Sequence, residues 1–235
     1  MRKSKVPQKD TRQLISELFR EKVRAAPLSK LRIGELIDEL DINRNTFYYY
    51  FSSKYDVAAY IFRKDLDQRL RARYPESELI VKASEDDPFE GLAFYGCTEI
   101  GARRLNDDAF FDALFHTLTD DIALYRNLFT YREMELIEYV RHLWTYAFTC
   151  NADFILDHRH FDDRAITLLI SFTVQGILGI MMEMLSHADW IEMANAEITN
   201  PLRNYPLDSL HYAINKKSPS HHTHTTSVKT RYFNT

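Results

Sequence analysis

An all-α fold is the class this sequence predicts, and three observations carry the prediction. Apolar residues recur at helical spacing almost throughout, strict polar/apolar alternation is nearly absent, and only seven prolines and six glycines interrupt 235 residues. That length holds one large domain, or a small one beside a larger one. An apolar share of 45% leaves enough for a sizeable core. Charge is divided unevenly. Residues 1–74 carry 17 Lys and Arg against 10 Asp and Glu, a net of +7; the remainder carries 13 against 24, a net of −11, which together give the chain's −4. A basic first third on an acidic remainder is the asymmetry of a chain that meets a polyanion at one end.

Residues 1–9, with Arg2, Lys3, Lys5 and Lys9, read as a flexible basic arm. A plain free terminus is the better reading of it, a minor-groove contact the second. No apolar segment follows the arm, so it does not read as a secretory signal. No apolar run reaches the roughly 18 residues of a bilayer span. Cys97 and Cys150 fall in different apolar segments and are expected as two buried thiols in a cytoplasmic protein.

The first helix is expected to begin at Asp10 or Thr11, where Asp10 and Gln13 have the spacing of a capping box. Leu14, Ile15, Leu18, Phe19 and Val23 form its stripe, and Pro27 closes it. Ile33, Leu36, Ile37 and Leu40 mark a short second helix that ends at Asp41. Asn43 is a good N-cap for a third, because its side chain can accept from Asn45 or Thr46 N–H. Ser53 and Asp56 make a second capping box and open a long fourth helix to about Tyr74, with Ala58, Ile61, Phe62 and Leu66 inward.

Two short helices joined by a tight turn make a helix-turn-helix unit, whose second helix enters the major groove of DNA. Phe47 and Phe51, four apart, are its expected inward anchors, leaving Arg44, Asn45, Tyr49 and the edges of Thr46, Tyr48 and Tyr50 outside. Three tyrosines on a short helix need partners for rings and hydroxyls; bases, sugars and phosphates supply them, although one of the three is expected to pack inward. Arg44 is long enough for a bidentate contact to guanine. Lys54, at a helix N-terminus, stands at a ready anion site.

Residues Ile33-x-x-Leu36-Ile37-x-x-Leu40-Asp41-Ile42-Asn43-Arg44-Asn45-Thr46-Phe47-Tyr48-Tyr49-Tyr50-Phe51-x-Ser53-Lys54 resemble the DNA-binding domain of the tetracycline-repressor (TetR/AcrR) regulators. The likeness covers about 50 residues. It implies that Thr46 and Tyr48 contact the DNA backbone, that Tyr49 and Tyr50 contact bases and phosphates, that Arg44 and Asn45 read sequence, and that Lys54 pairs with phosphate. Asp41 and Asn45 stand where that family favours glycine, Arg32 replaces its Thr or Ser cap, and Gly34 lies where some relatives present a DNA-contacting side chain.

Residues 75–88 read as an acidic, proline-bounded connector between the domain at 10–74 and a helical regulatory and dimerisation domain at 89–214, with 215–235 a disordered tail. Residues 165–185 are nearly apolar all round, so that helix must be covered on more than one face. The resemblance assigns it to a dimer interface, with Phe172, Gln175, Gly176, Gly179 and Met182 as candidates and the segment from Trp190 onward beside it. Phe94, Tyr95, Phe129, Trp144 and Phe172 are candidates for a ligand pocket, although spaced aromatics are more often plain core. His158 and His160 form a lone His-x-His pair, and no metal or cofactor is expected.

The functional expectation is a sequence-specific transcription regulator, a homodimeric repressor that binds a palindromic operator in double-stranded DNA and responds to a small hydrophobic effector, with no membrane partner. A regulator without a small-molecule effector, an activator or a protein-controlled one, is the alternative. A helical protein-binding adaptor and an enzyme rank below, since no phosphate-binding glycine loop, H-E-x-x-H or G-x-S-x-G is present.

Overall fold

The computed structural model describes residues 10–130, 134–187 and 199–217. It is mostly helical. The helices are α1 (Thr11–Ala25), α2 (Ile33–Glu39), α3 (Arg44–Tyr50), α4 (Lys54–Arg71), α5 (Asp108–Thr119), α6 (Ile122–Leu128), α7 (Met134–Leu156), α8 (Asp163–Ser186) and α9 (Thr199–Lys217). The basic arm and residues 188–198, which include the start of the segment from Trp190 onward, lie outside the described residues, as does the chain beyond 217; residues 215–217 of the expected disordered tail are helical, because α9 runs on through Lys217.

Local chemistry sets the ends of the first four helices. Asp10 accepts from Arg12 N–H at 3.4 Å, but Gln13 donates forward to Glu17, so the expected capping box is half made. Ala26, before Pro27, is extended, as steric conflict with a following proline requires. Asp41 takes φ +50°, and around it Ile42 N–H reaches Ile37 O at 3.2 Å while Asp41 N–H reaches Asp38 O at 3.3 Å. These two bonds are the Schellman closure of a helix, made here by aspartate in the position glycine favours. Asn43 caps α3 through Asn45 N–H at 2.8 Å. Ser53 caps α4 through Tyr55 and Asp56 N–H, and Asp56 reaches back to Ser52 N–H at 2.8 Å.

Two departures from a purely helical chain lie between α4 and α5. Strands β1 (Leu79–Ile80) and β2 (Tyr95–Gly96) pair antiparallel, as do β3 (Thr98–Gly101) and β4 (Arg104–Asn106). Strands of two to four residues are too short to show alternation in sequence. The expected acidic connector is also a folded clasp. Asp87 within it is buried, accepts from Ala83 and Phe89 N–H, and forms an ion pair with Arg63 of α4 at 3.2 Å. Arg63 has no exposed surface. It also donates to the carbonyls of Val81, Phe89 and Leu92, to Tyr139 Oη at 2.9 Å, and lies over the Phe94 ring. A buried guanidinium is stable only with its donors satisfied, and this one welds α4 to the clasp and to α7.

One hydrophobic core runs through α1, α4, α5, α6, α7 and α8. α8 packs on α7 and α6, and α9 closes over α7 with Leu207, Leu210 and Ile214 buried. The expectation that no segment has membrane-span length does not hold for α8, which at 24 residues is long and apolar enough to cross a membrane by length and composition. Thr, Ser, Gln and Gly break its apolar run but bring no charge between Ala165 and Met182. Cys97 and Cys150 are free and half-buried rather than fully enclosed.

Candidate nucleic-acid interface

The α2–α3 unit rests on the core through a few anchors. Leu36 of α2 is buried, and Phe47 and Phe51 are enclosed below α3. With those two rings inward, helical geometry turns Arg44, Asn45, Tyr48 and Tyr49 outward. All four are exposed, and Tyr49 most of all at 81%. Thr46 is half-buried. The Arg44 guanidinium lies over the Tyr48 ring at 5.8 Å, and Tyr49 meets the edge of Tyr50 at 4.9 Å between centroids. The surface thus combines an exposed guanidinium, an amide and phenols set edge to face, groups that can meet base edges and phosphates together.

The three tyrosines are not equivalent. Tyr50 is half-buried and packs against the core, with the Arg12 guanidinium 5.7 Å from its ring. Arg12 also faces Phe51 and Tyr60 at 5.9 and 5.2 Å, so an α1 side chain is built into the base of the α3 surface. Sequence reading missed Arg12, since its position beside the apolar stripe of α1 carries no signal of this tertiary contact.

Lys54 differs from its expected role. Its ammonium donates inward to the carbonyls of Leu28 and Leu31 at 2.9 and 3.4 Å. There it closes the short 3-10 turn Leu28–Lys30, which precedes α2. Two of its three donors are therefore committed to backbone, and the residue positions α2 rather than presenting a free charge. Gly34, on the exposed side of α2, has nothing within 4 Å of where a Cβ would stand, so bare backbone meets solvent beside α3.

Ion pairs and hydrogen bonds tie α1 to α4 and α6. Arg24 of α1 makes a two-pronged contact to Asp121, its Nη2 at 2.6 Å, before α6. Arg20 pairs with Asp65 at 2.5 Å, which also accepts from Tyr125 Oη, and Asn127 donates to Val23 O at 2.7 Å. Between α4 and the α5–α6 corner lies an open cleft of about 450 Å³, lined by Asp65, Gln68, Arg69, Arg73, Thr117 and Asp121 among others.

Four of the five proposed pocket residues are packed in the core. Tyr95 and Trp144 flank Phe110, Phe129 packs on Phe62, Phe94 lies under Arg63, and all four are buried. Phe172, the fifth, is 74% exposed on α8. It belongs instead to an outward stripe with Leu168, Gln175, Gly176 and Ile180, and Gly179 at its edge. A Cβ at Gly176 or Gly179 would meet nothing within 4 Å among the described residues. Met182 is buried within the protomer and is not part of that stripe, because it lies on the side of α8 that carries Val174, Leu178 and Leu185 inward. A scan against protein-family models and searches of curated proteins and of solved structures find no match to this chain.

Proposed function

We propose that the protein is a sequence-specific DNA-binding transcription regulator that works as a homodimer. The observation that carries this reading is the exposed face of α3. A helix seven residues long, capped at its N-terminus by Asn43 and anchored by Phe47 and Phe51, holds Arg44, Asn45, Tyr48 and Tyr49 toward solvent. No internal structural need accounts for an 81% exposed tyrosine on a helix so firmly placed. The net +7 of residues 1–74 supplies the field that a polyanion requires.

The resemblance to tetracycline-repressor regulators in the residues of α2, α3 and the start of α4 points the same way. In this reading Arg44 and Asn45 read bases, Tyr48 and Tyr49 contact backbone and bases, and Lys54 and Arg12 hold the reading surface in place. The α8 stripe of Leu168, Phe172, Gly176 and Ile180 pairs with its twin, so that two α3 helices meet an inverted repeat. Binding over a promoter represses it. A small hydrophobic effector in the body releases DNA by moving α1 and α4 through the Arg24–Asp121 and Arg63–Asp87 contacts.

The reading is tested by gel shift of the purified full chain with DNA from beside its own gene and with random duplex. A preference for the former, falling steeply between low and moderate salt, is expected. Equal binding to both, or none, contradicts it.

A further inference from the structure

Asp107, the N-cap of α5, has no exposed surface. Its Oδ2 accepts the Tyr95 hydroxyl at 2.8 Å; the Tyr95 oxygen accepts from Asn151 Nδ2 at 2.8 Å; and Cys97 Sγ lies 3.5 Å from Asn151 Oδ1. This relay joins α5, β2 and α7 through one line of hydrogen bonds. It ends unevenly, because Asp107 Oδ1 is buried and has no hydrogen-bond partner among the described residues. A buried carboxylate with one side-chain donor for its two oxygens is poorly compensated, which disfavours its charged form.

The groups around Asp107 offer little to hold an anion. On its own helix stands Asp108; from α9 comes Asp208, which Arg104 of β4 approaches at 3.5 Å; and both carboxylates act against ionisation. From β2 and the residue after it come Tyr95 and Cys97, and from the chain beyond α4 comes Tyr74, all neutral near pH 7 and each pushed upward, first by burial and next by Asp107 itself. Glu78, which accepts from Thr98 Oγ1, adds a further negative charge facing Tyr74 and Cys97. α7 contributes the neutral Asn151 and Trp144, and its Cys150 thiol acts on Cys97.

We propose that the Asp107–Tyr95–Asn151 relay is a proton-dependent latch, closed while Asp107 is neutral and opened when it ionises. Burial pushes the Asp107 carboxyl up to about 8, which sets the opening just above neutral pH. An ionised Asp107 must draw in water, and the N-terminus of α5 separates from β2 to admit it. The movement reaches α4 through Tyr74, whose ring lies against Gly96. A Cβ at Gly96 would stand 2.7 Å from Tyr74 Cδ2, so that contact transmits displacement without slack.

The inference goes beyond DNA binding, and its test uses no DNA, so the two stand or fall separately. The full chain is titrated from pH 6 to 9 while near-ultraviolet circular dichroism follows aromatic packing. Wild type is expected to show a one-proton transition near pH 8, and Asp107→Asn a flat profile. Tyr95→Phe removes the donor that favours the charged carboxylate and is expected to move the midpoint up by roughly one pH unit. A merely structural role for Tyr95 would not move a midpoint in that direction. A flat wild-type profile, an Asp107→Asn profile that titrates like wild type, or a Tyr95→Phe midpoint that stays or falls overturns the latch. If Asp107→Asn does not fold, the wild-type and Tyr95→Phe profiles still decide.

Discussion

Helices α3 and α8 both hold large side chains away from the core, and they do so with opposite chemistry. α3 turns out Arg44, Asn45, Tyr48 and Tyr49, while α8 turns out Leu168, Phe172 and Ile180 around two glycines. A surface of phenols, amide and guanidinium can exchange its water for phosphates and base edges. A surface of leucine, phenylalanine and isoleucine gains only by excluding water against another apolar surface. The contrast teaches that exposure alone does not name a partner; the polar atoms left within the exposed face do.

The largest expected effect breaks the α8 half of this comparison. Phe172→Asp places a charge on the exposed stripe and should leave protomer stability within about 0.5 kcal/mol. In the proposed dimer, the particle mass by light scattering should halve, and affinity for the proposed operator should fall by about 100-fold or more as the second reading head is lost. Met182→Asp, only ten residues along, should instead unfold the protomer, because Met182 faces inward. If the two variants behaved alike, the stripe would be misdrawn.

Next in size is the buried ion pair that ties α4 to the clasp and lies, in chain order, between the two helices compared. Arg63→Ala leaves Asp87 buried without its cation and should destabilise the protein by about 3–5 kcal/mol in urea unfolding. Smaller, and graded with pH, is the contribution of Asp107. Its folded carboxyl titrates about 8 against roughly 3.9 in the unfolded chain, so the native state holds the extra proton between those values. Stability from this group is therefore greatest below pH ~4 and is lost, by roughly 1.4 kcal/mol per pH unit, as pH rises to about 8, with no further loss above it. Asp107→Asn should remove that slope from the difference between the two unfolding curves.

The smallest effects separate residues within the α3 region. Arg44→Ala should cost about 1–3 kcal/mol of discrimination at one base position and little stability. Lys54→Ala should do the reverse, lowering thermal stability by about 1 kcal/mol through the freed Leu28 and Leu31 carbonyls. Its salt dependence of DNA binding should match wild type; a slope reduced by about one would make Lys54 a phosphate contact after all.

The α2–α3 unit was legible in the sequence because its determinants are local. Asp41, Asn43 and Ser53 act on backbone groups within five residues, and Phe47 and Phe51 share a face by helical period alone. Legibility ended where a role depends on distant partners. Nothing near Arg63 or Asp107 in sequence marks them as buried, since their partners come from the clasp, β2 and α7. Lys54 was read by its place at a helix start, but its ammonium answers to carbonyls 23 and 26 residues earlier. The strands were hidden by their brevity, and the aromatic pocket candidates by the fact that spacing cannot tell a packed ring from a lining one.

The most direct test of the paired surfaces is selection of bound duplexes from a random pool by the full chain, followed by footprinting of the enriched sites. The account predicts an inverted repeat protected as two half-sites about one helical turn apart, with two protomers per duplex. Enrichment of no sequence, or of a single unrepeated site bound by one protomer, would contradict it.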